Sequence, residues 1–82
     1  MAKSTQMKPK DRKTPLQIAF GKTVRMKRLK FLLSQEQLAE AAKMHFTYIS
    51  SVERGERNIS LENMSRLAKA LDCRIRHLVD DL

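Results

Sequence analysis

Three helix-start signals divide this chain, and the intervals between them leave room only for small helices. Thr14 precedes Pro15, which puts an N-cap before a proline at the first helical position. Ser34 is followed three residues later by Gln37, as in a capping box, and Ser60 precedes another apolar run. With only 2 glycines and 2 prolines in 82 residues, little else interrupts helices. The chain is therefore predicted to be all-α, a compact bundle of about five short helices.

Apolar residues recur at helical spacing after each start signal and indicate the face that each helix buries. Gly55 is expected to cap the third helix at its C-terminal end. The helices are predicted over 15–30, 35–42 and about 45–54, then from 61 onward, with a final apolar stripe over 75–82. The side chains expected to face the core are Leu16, Ala19, Phe20, Val24, Leu29, Leu38, Ala41, Ala42, Ile49, Val52, Leu61, Met64, Leu67, Ala68 and Leu71.

The positive charge of the chain is concentrated before residue 31. The net charge is +8, yet residues 1–30 hold ten basic residues against one acidic, and residues 31–82 hold seven against eight. Such asymmetry predicts a polyanionic partner, either nucleic acid or an anionic membrane surface, with a solubilising tail as the alternative. Residues 1–13 are polar, basic and aperiodic, so they are expected to form a flexible arm before a domain over 14–82.

Several classes of protein are disfavoured by the composition. No apolar run approaches the roughly 18 residues that cross a membrane, and no apolar segment follows the N-terminal lysines as in a secretory signal. The 1 cysteine cannot form an intramolecular disulfide and matches no metal-site spacing, which favours the reducing cytoplasm. No paired carboxylates, nucleophile–base pair or phosphate loop is evident. An enzyme, a metal, a cofactor and a small-molecule ligand are therefore not expected.

Two short helices joined by a tight turn form the most informative pattern. The helices at 35–42 and about 45–54 leave two residues between them, which is the organisation of a helix-turn-helix. Ala39 is small enough to lie where the two helices cross, and Ile49 and Val52 would hold the second helix against the core. The outer face of that helix would then be free to enter a DNA major groove.

Five short motifs lie on and after this pattern. They are Ser34-Gln35-Glu36, Leu38-Ala39, Tyr48-Ile49-Ser50, Glu53-Arg54-Gly55 and Leu67-Ala68-Lys69-Ala70-Leu71. With them the chain resembles, over roughly residues 20–82, the phage-repressor/Cro (XRE-type) helix-turn-helix family. Within that family it is most similar to the controller proteins of restriction–modification systems, with plasmid and phage regulators as close competitors. The resemblance implies a lambda-repressor-like DNA-binding domain.

The resemblance also implies which side chains contact DNA. Gln35 would bind a phosphate, and Tyr48 would pack or reach a phosphate with its hydroxyl group. Thr47 and Ser51 could bond base edges, and Phe46 could touch a thymine methyl group or have a packing role instead. The predicted set is Gln35, His45, Phe46, Thr47, Tyr48, Ser50, Ser51, Arg54, Arg57 and Asn58, of which Phe46, Thr47, Ser50 and Ser51 are expected to face the groove.

Further expectations follow from comparison with the pattern of that family. Arg28 and Glu53 are expected to form a half-buried pair that fixes the first helix on the recognition helix. Leu32 and Lys43 stand where relatives often have glycine. Lys43 is expected to have a positive φ, and Leu32 must avoid a left-handed conformation or accept strain. Cys73 is expected to be a small core residue.

These features predict a sequence-specific transcription regulator that binds double-stranded DNA on the nucleoid. A homodimer would place two recognition helices about 34 Å apart in a pseudo-palindromic operator, where it would block or recruit RNA polymerase. One alternative is an antitoxin-like module that neutralises a partner protein and binds DNA secondarily. Another is a basic membrane-surface helix over 15–30. The dimer interface is assigned to Ile75, Leu78, Val79 and Leu82.

Overall fold

The computed structural model describes residues 13–80 and 82. These residues form five helices and no strand. The helices are α1 (Pro15–Lys30), α2 (Gln35–Ala42), α3 (Phe46–Glu53), α4 (Leu61–Ala70) and α5 (Ile75–Val79). The prediction of a compact all-α bundle is confirmed. The predicted flexible arm, apart from Lys13, falls outside the described residues.

Side-chain caps begin three of the helices where the sequence predicted them. The Thr14 hydroxyl group accepts from the Gln17 backbone N–H at 3.1 Å, and the Gln17 side chain accepts from the Thr14 N–H at 3.1 Å. Ser34 and Gln37 form the same reciprocal pair at 3.0 and 2.8 Å, and Ser60 caps α4. Each cap satisfies backbone donors that a helix start leaves unpaired, so these boundaries are set locally.

The core lies where all five helices meet. Helix α3 packs between α1 and α2, α4 packs on α2, and α5 packs on α4 and α1. Leu16, Leu29, Ala41 and Leu61 were expected in this core, but all four are exposed. The largest fully buried side chains are Val24, Leu38, Ile49, Val52, Leu67, Leu71 and Leu78.

Helix α5 closes the core and also presents an apolar edge. Leu78 is only 1% exposed within the single chain, so its assignment to a dimer interface is wrong: its side chain has no surface to offer a partner. Ile75 and Val79 are half-buried, and Leu82 is exposed. The apolar stripe is thus divided between core packing and surface.

Three turns hold non-glycine residues in the left-handed region of the backbone map. Leu32 has φ 59°, Lys43 has φ 59° and Asp72 has φ 54°. The expectation for Lys43 is confirmed, and Leu32 accepts the strained conformation rather than avoiding it. Because Leu32 turns the chain immediately after α1, that helix ends at Lys30 as predicted.

Gly21 allows α1 to lie directly on the backbone at the end of α3. A Cβ atom at this position would stand 2.3 Å from the Val52 carbonyl oxygen and 2.9 Å from that of Glu53. No side chain fits in this space, since both neighbouring atoms belong to the backbone. Gly55 meets α1 at the same end of α3: it has φ 78°, and a Cβ atom there would lie 3.0 Å from the Cα atom of Ile18. Backbone contact therefore fixes this helix crossing.

Candidate nucleic-acid interface

Helix α3 has a buried face and an outward face, as a recognition helix requires. Ile49 and Val52 point into the core and are almost fully buried. Phe46 is 43% exposed, Thr47 is exposed and Ser50 is half-buried, so these three residues form the outward face. His45 begins the helix as N-cap with extended backbone, and its imidazole forms no capping hydrogen bond within the described residues.

A buried ion pair ties α1 to the end of α3. Arg28 donates from Nε to Glu53 Oε2 at 2.6 Å and from Nη2 to Glu53 Oε1 at 2.9 Å. The two side chains are only 8% and 3% exposed. The predicted pairing of Arg28 with Glu53 is confirmed, and the pair is more deeply buried than expected. Two parallel hydrogen bonds fix orientation as well as distance, so the pair sets how α3 lies on α1.

Both members of this pair also form hydrogen bonds with residues at the start of the helix-turn-helix. Arg28 Nη1 donates to the Leu33 carbonyl oxygen at 2.8 Å, and Gln35 Nε2 donates to Glu53 Oε1 at 3.0 Å. Gln35 was predicted to present its amide to a DNA phosphate, but here that amide group holds α2 to the end of α3. Glu53 thus joins three helices through one carboxylate, and the lost solvation of each charge is offset by partners.

Ser51 does not belong to the outward face. It is only 6% exposed, its Oγ donates to the Tyr48 carbonyl oxygen at 2.8 Å, and the same Oγ accepts from Arg57 Nε at 2.9 Å. The prediction that Ser51 faces the groove is therefore wrong. A serine in a helix can turn its hydroxyl group back to the preceding turn, and here that conformation makes it a support for Arg57.

Arg57 is held in place from two sides. Its guanidinium carbon lies 5.2 Å from the centre of the Tyr48 ring, within the range of a cation–π contact. Tyr48 is half-buried, and its hydroxyl oxygen accepts from Asn63 Nδ2 at 3.1 Å. Of the two roles left open for Tyr48, the structure shows packing. Arg57 is exposed but oriented beside α3, and Asn58, the next predicted contact residue, is also exposed.

Arg54 follows α3 directly and pairs with Glu56. Its Nε donates to Glu56 Oε2 and its Nη2 to Glu56 Oε1, both at 3.0 Å, and its Nη1 donates to Ser50 Oγ. These hydrogen bonds hold the pKa of the Glu56 carboxyl group below its ordinary value. Sequence reasoning missed Glu56 and Asn63, because the former is two residues from Arg54 in a loop and the latter is fifteen from Tyr48.

The metal-ligating residue types, the cysteine and the apolar character of the helices bear on other kinds of function. The side chains that the structure describes include no cluster of three or more His, Cys, Asp or Glu that could hold a metal ion. Cys73 is half-buried against the core as expected, and desolvation raises the pKa of its thiol, which lowers its reactivity. No helix among residues 13–80 has the length and apolar character to cross a membrane.

The arrangement defines a class of protein. A short helix is docked at its base by a buried ion pair, and it presents an exposed side that arginines flank at its C-terminal end, as in regulators that read DNA with one helix. The chain belongs to the XRE-type helix-turn-helix family of DNA-binding transcription regulators, whose Helix-turn-helix model matches residues 24–78. That family is regulatory and is not a family of enzymes.

Three known proteins are similar to this chain over more than half of its length. The chain is 46% identical over 66 residues to Control protein C.BamHI of Bacillus amyloliquefaciens, covering 79% of this chain and 82% of that protein. It is 55% identical over 47 residues to Control protein C.SmaI of Serratia marcescens, covering 57% and 56%. The crystal structure of the restriction-modification controller protein C.AhdI from Aeromonas hydrophila matches with a TM-score of 0.73 and 44% identity, covering 74% of this chain and 92% of that chain.

Proposed function

We propose that this chain is a controller of a restriction–modification system that binds a pseudo-palindromic operator as a homodimer. The observation that supports this most is the outward face of α3, with Phe46 and Thr47 exposed on a helix that Arg28 and Glu53 hold in place. A rigid helix can present the same donors and methyl groups to every site it samples, and sequence-specific reading requires that. The similarity to three controller proteins supports the choice of system.

Each contact type has a candidate in this proposal. Thr47 would bond a base edge with its hydroxyl group, and Phe46 would touch a thymine methyl group. The N-terminus of α2 at Gln35 would receive a phosphate, and so would the backbone near His45. The exposed side chains after α3, Arg54, Arg57 and Asn58, would meet the sugar–phosphate backbone.

The second subunit would dock on the apolar edge that α5 presents. Val79 and Leu82 line a shallow groove with Leu16, Ile59 and Met64. Leu16 and Leu82 are exposed in the single chain, so a symmetric partner would remove apolar surface from water. The two recognition helices would then stand about 34 Å apart, one turn of the duplex.

The result for transcription depends on where the operator lies. A dimer over a promoter would exclude RNA polymerase, and one beside it would recruit the polymerase. The arm at 1–13 would add sequence-independent attraction to phosphates, since its charge is strongly positive. The domain that reads sequence would be residues 14–82.

Selection from a library of random duplexes tests this function. We expect enrichment of an inverted repeat with half-sites about one helical turn apart, and a dimer in sedimentation at micromolar concentration. If no sequence is enriched at any salt concentration, the protein is not a specific regulator and an antitoxin-like module becomes the better explanation. If the chain stays monomeric on its operator, the palindrome has no basis. A methyltransferase gene and an endonuclease gene beside this one would support the restriction–modification role.

A further inference from the structure

Three charged side chains meet beyond the C-terminal end of α3. Glu56 holds the Arg54 guanidinium group by two hydrogen bonds, both at 3.0 Å. Lys13 Nζ approaches the same Glu56 Oε2 at 3.7 Å. Lys13 is the last residue of the basic segment 1–13, so this one carboxylate connects the start of the described chain with the end of the proposed recognition helix. We call these three residues the Glu56 cluster.

The donors of the cluster are of the kind that bind a phosphate. Two parallel donors from an arginine fit the oxygens of a carboxylate and those of a phosphate in the same manner, and a lysine adds a point charge beside them. The side chains of Arg54, Lys13 and Glu56 are 53%, 45% and 27% exposed, so an incoming anion can reach both cations. The hydrogen bonds from Arg54 also hold the pKa of the Glu56 carboxyl group below its ordinary value, which favours its anionic form.

We propose that Glu56 is an internal competitor for DNA phosphate, which occupies Arg54 and Lys13 in the free protein and is displaced when a duplex binds. This inference rests on the proposed DNA-binding function. Arg54 follows the proposed recognition helix directly, and a phosphate that takes the two parallel donors Nε and Nη2 must take the place of the Glu56 oxygens. Glu56 is therefore a positioning residue: it orders Arg54 before binding and opposes binding through its own charge.

The consequence is a lower affinity for every duplex, whatever its sequence. The Glu56 cluster has one net positive charge with the carboxylate and two without it. Each phosphate that a protein neutralises makes the slope of log K against log salt more negative by about 0.9. Removing the carboxylate should therefore strengthen binding and steepen its salt dependence together, because both effects come from the same added charge.

The test is Glu56→Gln, which retains shape and removes charge. We expect its affinity to rise by about threefold to tenfold for both the selected operator and an unrelated duplex of equal length, with a slope more negative by about 0.9. The matched control is Asp72→Asn, in the turn between α4 and α5. It makes the same change in net charge at an exposed residue, and asparagine tolerates the positive φ there. Unchanged affinity and slope in Glu56→Gln, or equal gains in Asp72→Asn, would overturn the proposal.

A double-mutant cycle separates displacement from a general field of charge. In an Arg54→Ala background Glu56→Gln should strengthen binding by less than about twofold, because the main cation that Glu56 holds is gone. An undiminished gain there means that Glu56 merely repels DNA, which overturns the proposal. If the wild-type chain selects no operator but binds the unrelated duplex, the proposed sequence-specific function is wrong, and the cycle still tests the role of Glu56. If the chain binds no duplex, both the proposed function and the proposed role of Glu56 are wrong.

Discussion

Thr47 and Ser51 are hydroxyl residues one helical turn apart, yet only Thr47 is presented to solvent. The Ser51 hydroxyl group donates to the Tyr48 carbonyl oxygen and accepts from Arg57 Nε, so both hydrogen bonds are formed within the protein. A hydroxyl group that is committed in this way acts on DNA only through the side chain that it supports. Replacement by alanine is therefore expected to have a different kind of effect at each of the two residues.

Thr47→Ala should change which base pair is preferred at one position of the selected operator and leave stability within about 0.5 kcal/mol, since the residue is exposed. Ser51→Ala should instead cost about 1 kcal/mol of stability and weaken all duplexes alike, because Arg57 loses a partner. Repeating the random-duplex selection and a thermal melt on each variant measures both effects. A shifted motif in Ser51→Ala would contradict this assignment.

Leu32 combines a strained backbone with an exposed apolar side chain. It has φ 59°, and its side chain is 89% exposed. Among residues 13–80 no packing offsets the cost of this conformation, which is about 1 kcal/mol for an L-residue with a Cβ atom.

Leu32→Gly should therefore stabilise the fold by about 0.5–1 kcal/mol, which raises Tm by about 2–8 °C in a domain of this size. Leu32→Asn should give part of the gain, because asparagine tolerates a positive φ. Leu32→Ala is the control: it removes the exposed leucine but retains the Cβ atom, so its Tm should stay near that of the natural sequence. Equal gains from alanine and glycine in a thermal melt would place the cost in the apolar side chain instead of the backbone.

At the scale of the helices, the crossing of α1 on α3 depends on backbone contact at Gly21 and on the Arg28–Glu53 pair. The two act at the same end of α3, since Gly21 lies on the Val52 and Glu53 carbonyl groups. One sets how closely the helices approach, and the other sets their relative rotation.

Gly21→Ala should destabilise the domain by about 3 kcal/mol, because a Cβ atom 2.3 Å from a backbone oxygen forces the two helices apart. Alanine favours helix formation over glycine, so propensity alone would give the opposite sign. Chemical denaturation measures the free energy of unfolding. Lys22→Ala, at the adjacent exposed position, is the control and should change that free energy by less than about 0.5 kcal/mol.

Glu53→Gln should cost about 3–5 kcal/mol, because it leaves the Arg28 guanidinium group buried without a counter-charge. Stability would be measured by denaturation in urea. The double variant Arg28→Met with Glu53→Gln should recover part of the loss, since the unpaired charge is gone. No recovery would mean that Arg28 acts mainly through its hydrogen bond to the Leu33 carbonyl group.

The sequence predicted the helix boundaries better than the side chains that each helix buries. Caps are local, so Thr14 and Ser34 predict the starts of α1 and α2 to the residue. Periodicity reveals a spacing but not where a helix extends past its neighbours, and this is why Leu16 and Leu61 are exposed instead of buried. The orientation of Ser51 depends on its hydrogen bond with Arg57 in the next loop, and helical spacing does not predict that contact.

At the scale of the whole molecule, the surplus positive charge lies before the helix-turn-helix. Residues 31–82 are close to neutral, and the surplus lies in residues 1–13 and in α1. Base reading and phosphate attraction are therefore expected to respond to different changes of the protein and of the solution.

Deletion of residues 1–12 should weaken all duplexes alike, and the salt slope should become less negative by about 0.9 for each phosphate contact that is lost. The selected motif should not change. A chain of full length with Lys3, Lys8, Lys10 and Arg12 replaced by glutamine is the control, because it separates charge from length. Fluorescence anisotropy at several salt concentrations measures the slope, and a changed motif would show that residues 1–12 read bases.

The contact between Gly21 and the carbonyl groups of α3 has a consequence for how such proteins diversify. Phe46 and Thr47, which would meet bases, lie outside the buried core, and docking of α3 relies on backbone atoms, buried aliphatic side chains and one ion pair. Positions 46 and 47, both exposed, can then be exchanged without repacking the core. A few substitutions on one scaffold would give a new operator preference, so that duplicated copies in one cell could diverge to control separate genes without interference.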